Sequence, residues 1–201
     1  MQIELENDSK KSGISKKRAS NLRGNSLIIS PQLFDFIKEF NLPVIPGPDT
    51  EQGAVALKFR IKVINSIDRY LAEISRKEVL QPLKTPGHYI LAGDPGENII
   101  TESLLYSMEM SYPEEYRAAT KPAYKLNAVL RSFFERRGCD LLAVTMGFIT
   151  AGDKIFIDGR FRYEDILIYP LARDKNLSDF IIQGKTENAA HYIKFFNKIL
   201  E

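Results

Sequence analysis

From Val55 the chain alternates: Val55, Leu57, Phe59, Ile61 and Val63 are separated by Ala56, Lys58, Arg60, Lys62 and Ile64. A period of two sends successive side chains to opposite faces, so this stretch predicts a long strand with one wet face. Upstream the period is helical. Leu33, Phe36, Ile37 and Phe40 share a face, Ser30 and Pro31 supply a cap and a first-turn proline, and the proline-rich run from Asn41 to Pro48 ends the helix.

Downstream, Ile67, Tyr70, Leu71 and Ile74 predict a short amphipathic helix, and "QPLKTPGHYILAGDPGEN" reads as turn, strand, turn. Thr101 predicts the cap of another short helix, holding Leu104, Leu105 and Met108. The strongest helical stripe, Leu126, Val129, Leu130, Phe133 and Phe134, follows Pro122. Arg131, Arg136 and Arg137 sit toward its C-terminal end, where cations suit the helix dipole, and Gly138 stops it.

The stretch "LLAVTMGFITAGDKIFIDGRF", 141–161, then predicts two strands turning at Thr150 to Asp153, and "EDILIY" predicts a further strand. A final helix capped by Thr186 places Tyr192, Ile193, Phe196, Ile199 and Leu200 on one face. Hairpins with intervening helices imply an α+β fold with a largely antiparallel sheet and flanking helices. No internal repeat is visible.

Composition narrows the setting. A chain of 201 residues that is 44% hydrophobic can bury one sizeable core without staples. The single cysteine, Cys139, excludes an internal disulfide, and no apolar run has the length of a membrane span or the pattern of a signal peptide. A cytoplasmic protein with no membrane partner is the expectation. Lys10, Lys11, Lys16, Lys17, Arg18 and Arg23 crowd the start, so residues 1–25 read as a basic solvated arm and 26–201 as a single α+β domain. A phosphate-contacting arm is the functional alternative. It lacks interleaved aromatics for base stacking, and the net charge of +2 does not argue for nucleic acid, so nucleic acid is not the expected partner.

The candidate motifs each have a plain reading. "GKT" at Gly184 to Thr186 lacks the glycine that a phosphate loop requires five positions earlier, where Asp179 stands, and reads as a turn and helix cap. "GDPGEN", which contains Asp94, is a glycine-rich turn that could lie near a ligand. His88 and His191 stand apart with no supporting cluster for a metal, and Cys139 reads as a small buried hydrophobe. Around the hairpin, Asp153, Asp158, Arg160, Arg162, Glu164 and Asp165 are either a solvated charged turn or a site. In the second case Asp158, at a strand end, points into a cleft and holds Mg²⁺ or a substrate amine.

The order of these pieces resembles the phosphoribosylaminoimidazole-succinocarboxamide synthase (SAICAR synthase) family. "AYKLNAVLRSFFERRGCDLLAVTMGFITAGDKIFIDGRF" is similar to a helix written "LKxNEVLxxFFxxxG" and a hairpin written "LVDFKLEFG…ILADEIS". "LIISPQLFDFIKEFNLP" is similar to "NxISxxLFxxLxxxGI", "ALKFRIKVIN" to "PIEVVVRN", and "GDPGENIITES" to "LGDPxISEE". Order and spacing agree from about Ser30 to the end.

The resemblance implies a fold related to ATP-grasp enzymes and, in purine biosynthesis, ATP- and Mg²⁺-dependent joining of aspartate to a carboxyaminoimidazole ribotide. It also exposes departures. The family's aspartate, lysine and glutamate of "DFKLEFG" fall at Ala143, Thr145 and Gly147. Asp158 matches the aspartate of "ADEIS", but the adjacent glutamate is Gly159; Asn65 ends the "VRN" motif, but Ile64 stands where its arginine should be. The family's N-terminal nucleotide lobe would precede this chain and is expected to be missing.

The resemblance therefore nominates Asp158 as catalytic and metal-binding, and Asn65, Arg160, Arg162 and Asp94 as substrate-binding. ATP and Mg²⁺ are implied only if the family's activity is retained. The reading that follows is a divergent member without ordinary ligation, binding a nucleotide-like metabolite or running an altered reaction. Two alternatives stay open: an active C–N ligase completed by a separate N-terminal chain, and a non-catalytic interaction protein using the basic arm; beyond a small metabolite, the expected partner is a second copy in a homo-oligomer or a complementary chain.

Overall fold

Seven strands form one sheet in the computed structural model, which describes residues 31–50, 53–93, 98–171, 177, 181 and 189–201. In chain order the elements are α1 (Pro31–Lys38), β1 (Val44–Ile45), β2 (Val55–Ser66), α2 (Arg69–Ser75), β3 (Pro82–Ala92) and β4 (Asn98–Ile100). They continue with α3 (Glu102–Ser107), α4 (Pro113–Glu135), β5 (Cys139–Ala151), β6 (Lys154–Asp158), β7 (Ile166–Pro170) and α5 (Ala189–Leu200). The strands lie in the order β1-β6-β5-β2-β3-β4, with β7 also paired to β5. All pairings are antiparallel except the short parallel contact of β1 with β6. This is the α+β architecture that the mixture of hairpins and helices implies.

The alternation in β2 sets the two sides of the sheet. Phe59, Ile61 and Val63 enter the core beneath α4, and Arg60 and Lys62 face the other way. Val55 is 63% exposed, because the strand starts beyond the core it feeds. In β5 nearly every side chain from Leu141 to Ile149 is buried, so both faces are covered. An irregularity in the pairing with β7 between Leu141 and Ala143 changes the alternation there. Cys139 and Leu141 before it, and Val144, Met146 and Phe148 after it, consequently all reach the core on the helix side. The hairpin closes as its sequence suggests, with Ala151 opposite Lys154 and Gly152 at φ +59° in the turn.

Helix α4 begins earlier than its strongest stripe suggests. Its first residue is Pro113, and the Glu115 carboxylate accepts the Tyr112 N–H at 3.0 Å, closing the entry. Pro122 is interior to the helix rather than its start. The face Tyr116, Ala119, Ala123, Leu126 continues through it without a break and is buried throughout. Packing on the sheet thus outweighs the hydrogen bond that a proline cannot donate; each fully buried Leu or Phe on this face contributes about 1.5–3 kcal/mol.

The two short helices are both capped: Thr101 caps α3 as expected, accepting the Leu104 N–H at 3.2 Å, and α2 is capped by Asp68, which accepts the Leu71 N–H at 3.0 Å and which the sequence reading did not single out. Their apolar stripes are less buried than expected, with Tyr70 (48%), Ile74 (65%), Leu104 (48%) and Met108 (59%) exposed. Helices of seven and six residues are too short to seat a whole stripe on the sheet. In α5, Tyr192, Phe196 and Leu200 are buried. Ser30, the 1–25 arm, Asp94 and the "GKT" turn with Thr186 lie outside the described residues. No helix among the described residues is long and apolar enough to cross a membrane.

On the helix side, His88 of β3 ties the sheet to α4. Its Nδ1 lies 2.8 Å from the Tyr124 hydroxyl and its Nε2 2.7 Å from that of Tyr116. Burial holds the imidazole below its usual value of 6.5, against a smaller upward pull from Glu102. A lowered histidine value means that the unfolded chain binds the proton first, so stability falls as pH drops through 6.5 toward the lowered value. His88→Gln, which keeps a donor and an acceptor but cannot titrate in this range, is expected to flatten the melting temperature between about pH 7 and pH 5. Melting curves across that range check it; an unchanged slope overturns it.

Candidate functional site

The face of the sheet turned away from α4 carries a cleft of about 510 Å³. Its floor is built by cross-strand neighbours. Tyr89, Lys62 and Thr145 stand side by side on β3, β2 and β5, and in the next row Leu91, Arg60 and Gly147 do the same. Ala143 and Leu142 continue the floor, α2 and the segment around Leu80 form one wall, and Arg162, Glu164 and Asp165 form another.

The charges in this cleft are internally paired. Arg60 forms an ion pair with Asp165, whose side chain is only 6% exposed and which also accepts the Arg162 backbone N–H at 2.8 Å. Lys62 reaches Asp68 at 3.4 Å, and the Tyr89 hydroxyl donates to the same carboxylate at 3.1 Å. Burial first, and then Asp68, push the Tyr89 phenol well above its usual value, so it stays a hydrogen-bond donor.

The nominated residues separate into different places. Arg162 lines the cleft, 4.0 Å from Glu164. Asp158 sits at the end of β6 on the same side of the sheet, since a side chain at Gly147 would meet the Asp158 Cβ at 3.6 Å. Both Asp158 oxygens are engaged by Arg160, at 2.9 Å through Nε and 2.6 Å through the guanidinium terminus, and the Arg160 N–H adds a bond at 3.0 Å. That hydrogen bond is also the main reason the Arg160 guanidinium is held above its usual value. Asn65 faces the other side, exchanging two bonds with Asn127 of α4 at 2.8 and 2.9 Å. Asp94 lies outside the described residues. Cys139 is buried, its thiol pushed up to about 11 chiefly by that burial, which removes it as a nucleophile.

Arg60, Lys62, Asp68 and Tyr89 belong to this site but were not nominated from sequence, and Asp165 was named there only within the charged group around the hairpin. The usable signal was the wet face of the β2 alternation, where two cations stand two residues apart. Nothing local in the sequence announces that this wet face is walled in.

Among the described residues no built site for Mg²⁺ is present. Asp158 is neutralised by Arg160, and the described residues hold no cluster of three or more His, Cys, Asp or Glu side chains able to share a metal. Arg60 and Lys62, the half-buried cations of the cleft floor, are each paired with a carboxylate.

No protein-family model and no curated protein matches the chain. Solved structures do. The phosphoribosylaminoimidazole-succinocarboxamide synthase of Ehrlichia chaffeensis superposes with a TM-score of 0.68 at 13% identity, covering 85% of this chain and 78% of that one. A SAICAR synthetase from Pyrococcus horikoshii gives 0.66 at 14% identity, covering 83% and 77%. A SAICAR synthetase in complex with ADP gives 0.67 at 14% identity, covering 83% and 75%. A likeness at this identity is one of fold, and it agrees with the order of motifs along the chain: this protein has the α+β fold of the SAICAR synthetases.

Proposed function

We propose that this SAICAR-synthase-like protein is a divergent one, which binds a nucleotide-like metabolite in the cleft on the open face of the sheet and does not carry out ordinary ATP-dependent ligation of aspartate. One observation carries the reading: β5 presents Ala143, Thr145 and Gly147 on the cleft side, where the resemblance places an aspartate, a lysine and a glutamate. The exchange extends to β2. With "VIN" at 63–65 set on the family's "VRN", Arg60 falls on the glutamate of "PIEVVVRN", and Arg60 is now held by Asp165.

A further detail supports divergence over simple loss of one residue. At Gly159, where the resemblance expects a glutamate, an added Cβ would lie 2.5 Å from the Phe34 ring and 2.9 Å from the Ile45 carbonyl oxygen. The local backbone has closed over the space that a side chain would need. Metal and lysine neutralise developing charge in acyl-phosphate chemistry, and removing such groups takes that stabilisation away. What remains is a shaped, polar cleft. Arg162 and Lys62 are among the residues that line it, and Asp158 and Arg160 form an ion pair on the same side of the sheet.

The test is thermal stabilisation of the full chain by purine-pathway ribosides and ribotides, without ATP. A ligand at 100 times its Kd adds about 2.7 kcal/mol, which in a chain of this size is a rise of roughly 5–10 °C. The expected result is such a rise for at least one of these compounds and none for ATP with Mg²⁺. Stabilisation by ATP with Mg²⁺ alone would return the chain to the active-ligase reading.

A further inference from the structure

We infer that the cleft prefers an uncharged nucleoside-like compound, a planar ring with a sugar, over its phosphorylated form. This rests on the reading of the cleft as a metabolite site and specifies what that site accepts.

The first reason is that its charge is already balanced. The described lining residues include four cations, Arg60, Lys62, Arg69 and Arg162, and four carboxylates, Asp68, Glu73, Glu164 and Asp165. The innermost pair is Arg60 with Asp165, and a phosphate seated on Arg60 would compete for that cation with the Asp165 carboxylate, which is only 6% exposed and would keep the Arg162 backbone N–H alone. Lys62 is shared in the same way. Its partner Asp68 also accepts the Tyr89 hydroxyl and caps α2, so it cannot turn away without cost to the wall of the cleft. Arg69 and Arg162 lie at the wet rim, each with a carboxylate neighbour, where water screens them.

The second reason is what is left unpaired. Ser66 and Thr145 line the cleft, are 6% and 8% exposed, and neither hydroxyl has a hydrogen-bond partner among the described residues. No buried side-chain polar atom lacks a partner among the described residues, so each of these hydroxyls must open on the cleft rather than into the core. The hydrogen-bonding capacity on offer to a ligand is therefore neutral and of both senses, donor and acceptor, which matches sugar hydroxyls and ring carbonyls or nitrogens.

The third reason is the apolar side. Tyr70 is 48% exposed and stands edge-on to Tyr89 at 5.7 Å, with Leu80, Leu91 and Ile99 lining the same cleft. Such a surface receives a flat ring without asking it for charge.

Calorimetric titration of the full chain with inosine and inosine 5′-monophosphate, and with the riboside and ribotide of aminoimidazole carboxamide, tests the inference. The expected result is that at least one nucleoside binds about tenfold or more tighter than its monophosphate, with little dependence on salt. Thr145→Val and Ser66→Ala are each expected to weaken that binding about tenfold with an unchanged melting temperature, and Thr145→Ser to retain it. Tighter binding of the monophosphates, falling steeply with salt, overturns the preference while leaving the cleft a metabolite site. Failure of every nucleoside and every monophosphate to bind overturns both.

Discussion

The purified chain, supplied with ATP, Mg²⁺, aspartate and a carboxyaminoimidazole ribotide, is expected to form no SAICAR above a protein-free control. Removing one preorganised electrostatic group from an active site costs on the order of 10² to 10³ in rate. Here the positions that the resemblance assigns to an aspartate, a lysine and a glutamate hold Ala143, Thr145 and Gly147. Groups that act as a unit are not additive, so the loss cannot be multiplied through, but among the described lining residues every carboxylate has a cation beside it. Asp158 is neutralised by Arg160, and Arg60 by Asp165. Restoring charge with Ala143→Asp, Thr145→Lys and Gly147→Glu together is expected not to recover turnover, because Gly159 still has no room for a side chain and Arg60 still occupies the floor. Turnover by the unaltered chain at the rate of a working synthase would end this reading.

Asn127→Leu is expected to lower stability by about 3 kcal/mol, seen as a fall in melting temperature of roughly 6–12 °C. Asn65 and Asn127 exchange two amide hydrogen bonds at 9% and 2% exposure, so each amide is the other's only replacement for water in that contact. Removing one leaves the second buried with a donor and an acceptor unmet. Removing both is different, since two apolar groups of similar shape can be nearly neutral, and Asn65→Leu with Asn127→Leu is expected to regain much of the loss. Additive losses in the double variant would show that the pair is not coupled. The same double variant should bind a cleft ligand as the parent does, because Asn65 points toward α4; weakened binding would instead restore Asn65 as a substrate contact.

Much of the fold was legible because it rests on local periods. The β2 alternation, the α1 and α5 stripes, the hairpin turn at Gly152 and the cap at Thr101 follow from side-chain geometry within a few residues. Pro122 misled because its local cost is real; the uninterrupted buried face of Tyr116, Ala119 and Ala123 overrides it only once a sheet lies beneath. The site was less legible still. Asp158 reads as a catalytic charge and Arg160 as a substrate contact in a string of letters, and in space they satisfy each other. Asn65, read from its motif as a ligand contact, lies on the far side of the sheet.

By itself the sequence determined the element types, the α+β mixture, an order of motifs that resembles the SAICAR synthetases and the uncharged side of β5 at Ala143, Thr145 and Gly147. All of these are properties of neighbours along the chain or of residue identity. Only the tertiary structure decided that Arg60 meets Asp165 and Lys62 meets Asp68, and that Ser66 and Thr145 open into the same cleft. Arg60 and Asp165 are 105 residues apart, and their meeting depends on strand register. A slip of one residue in β2 would exchange the cleft face for the core face, and no local pattern encodes where the partner strand brings its carboxylate.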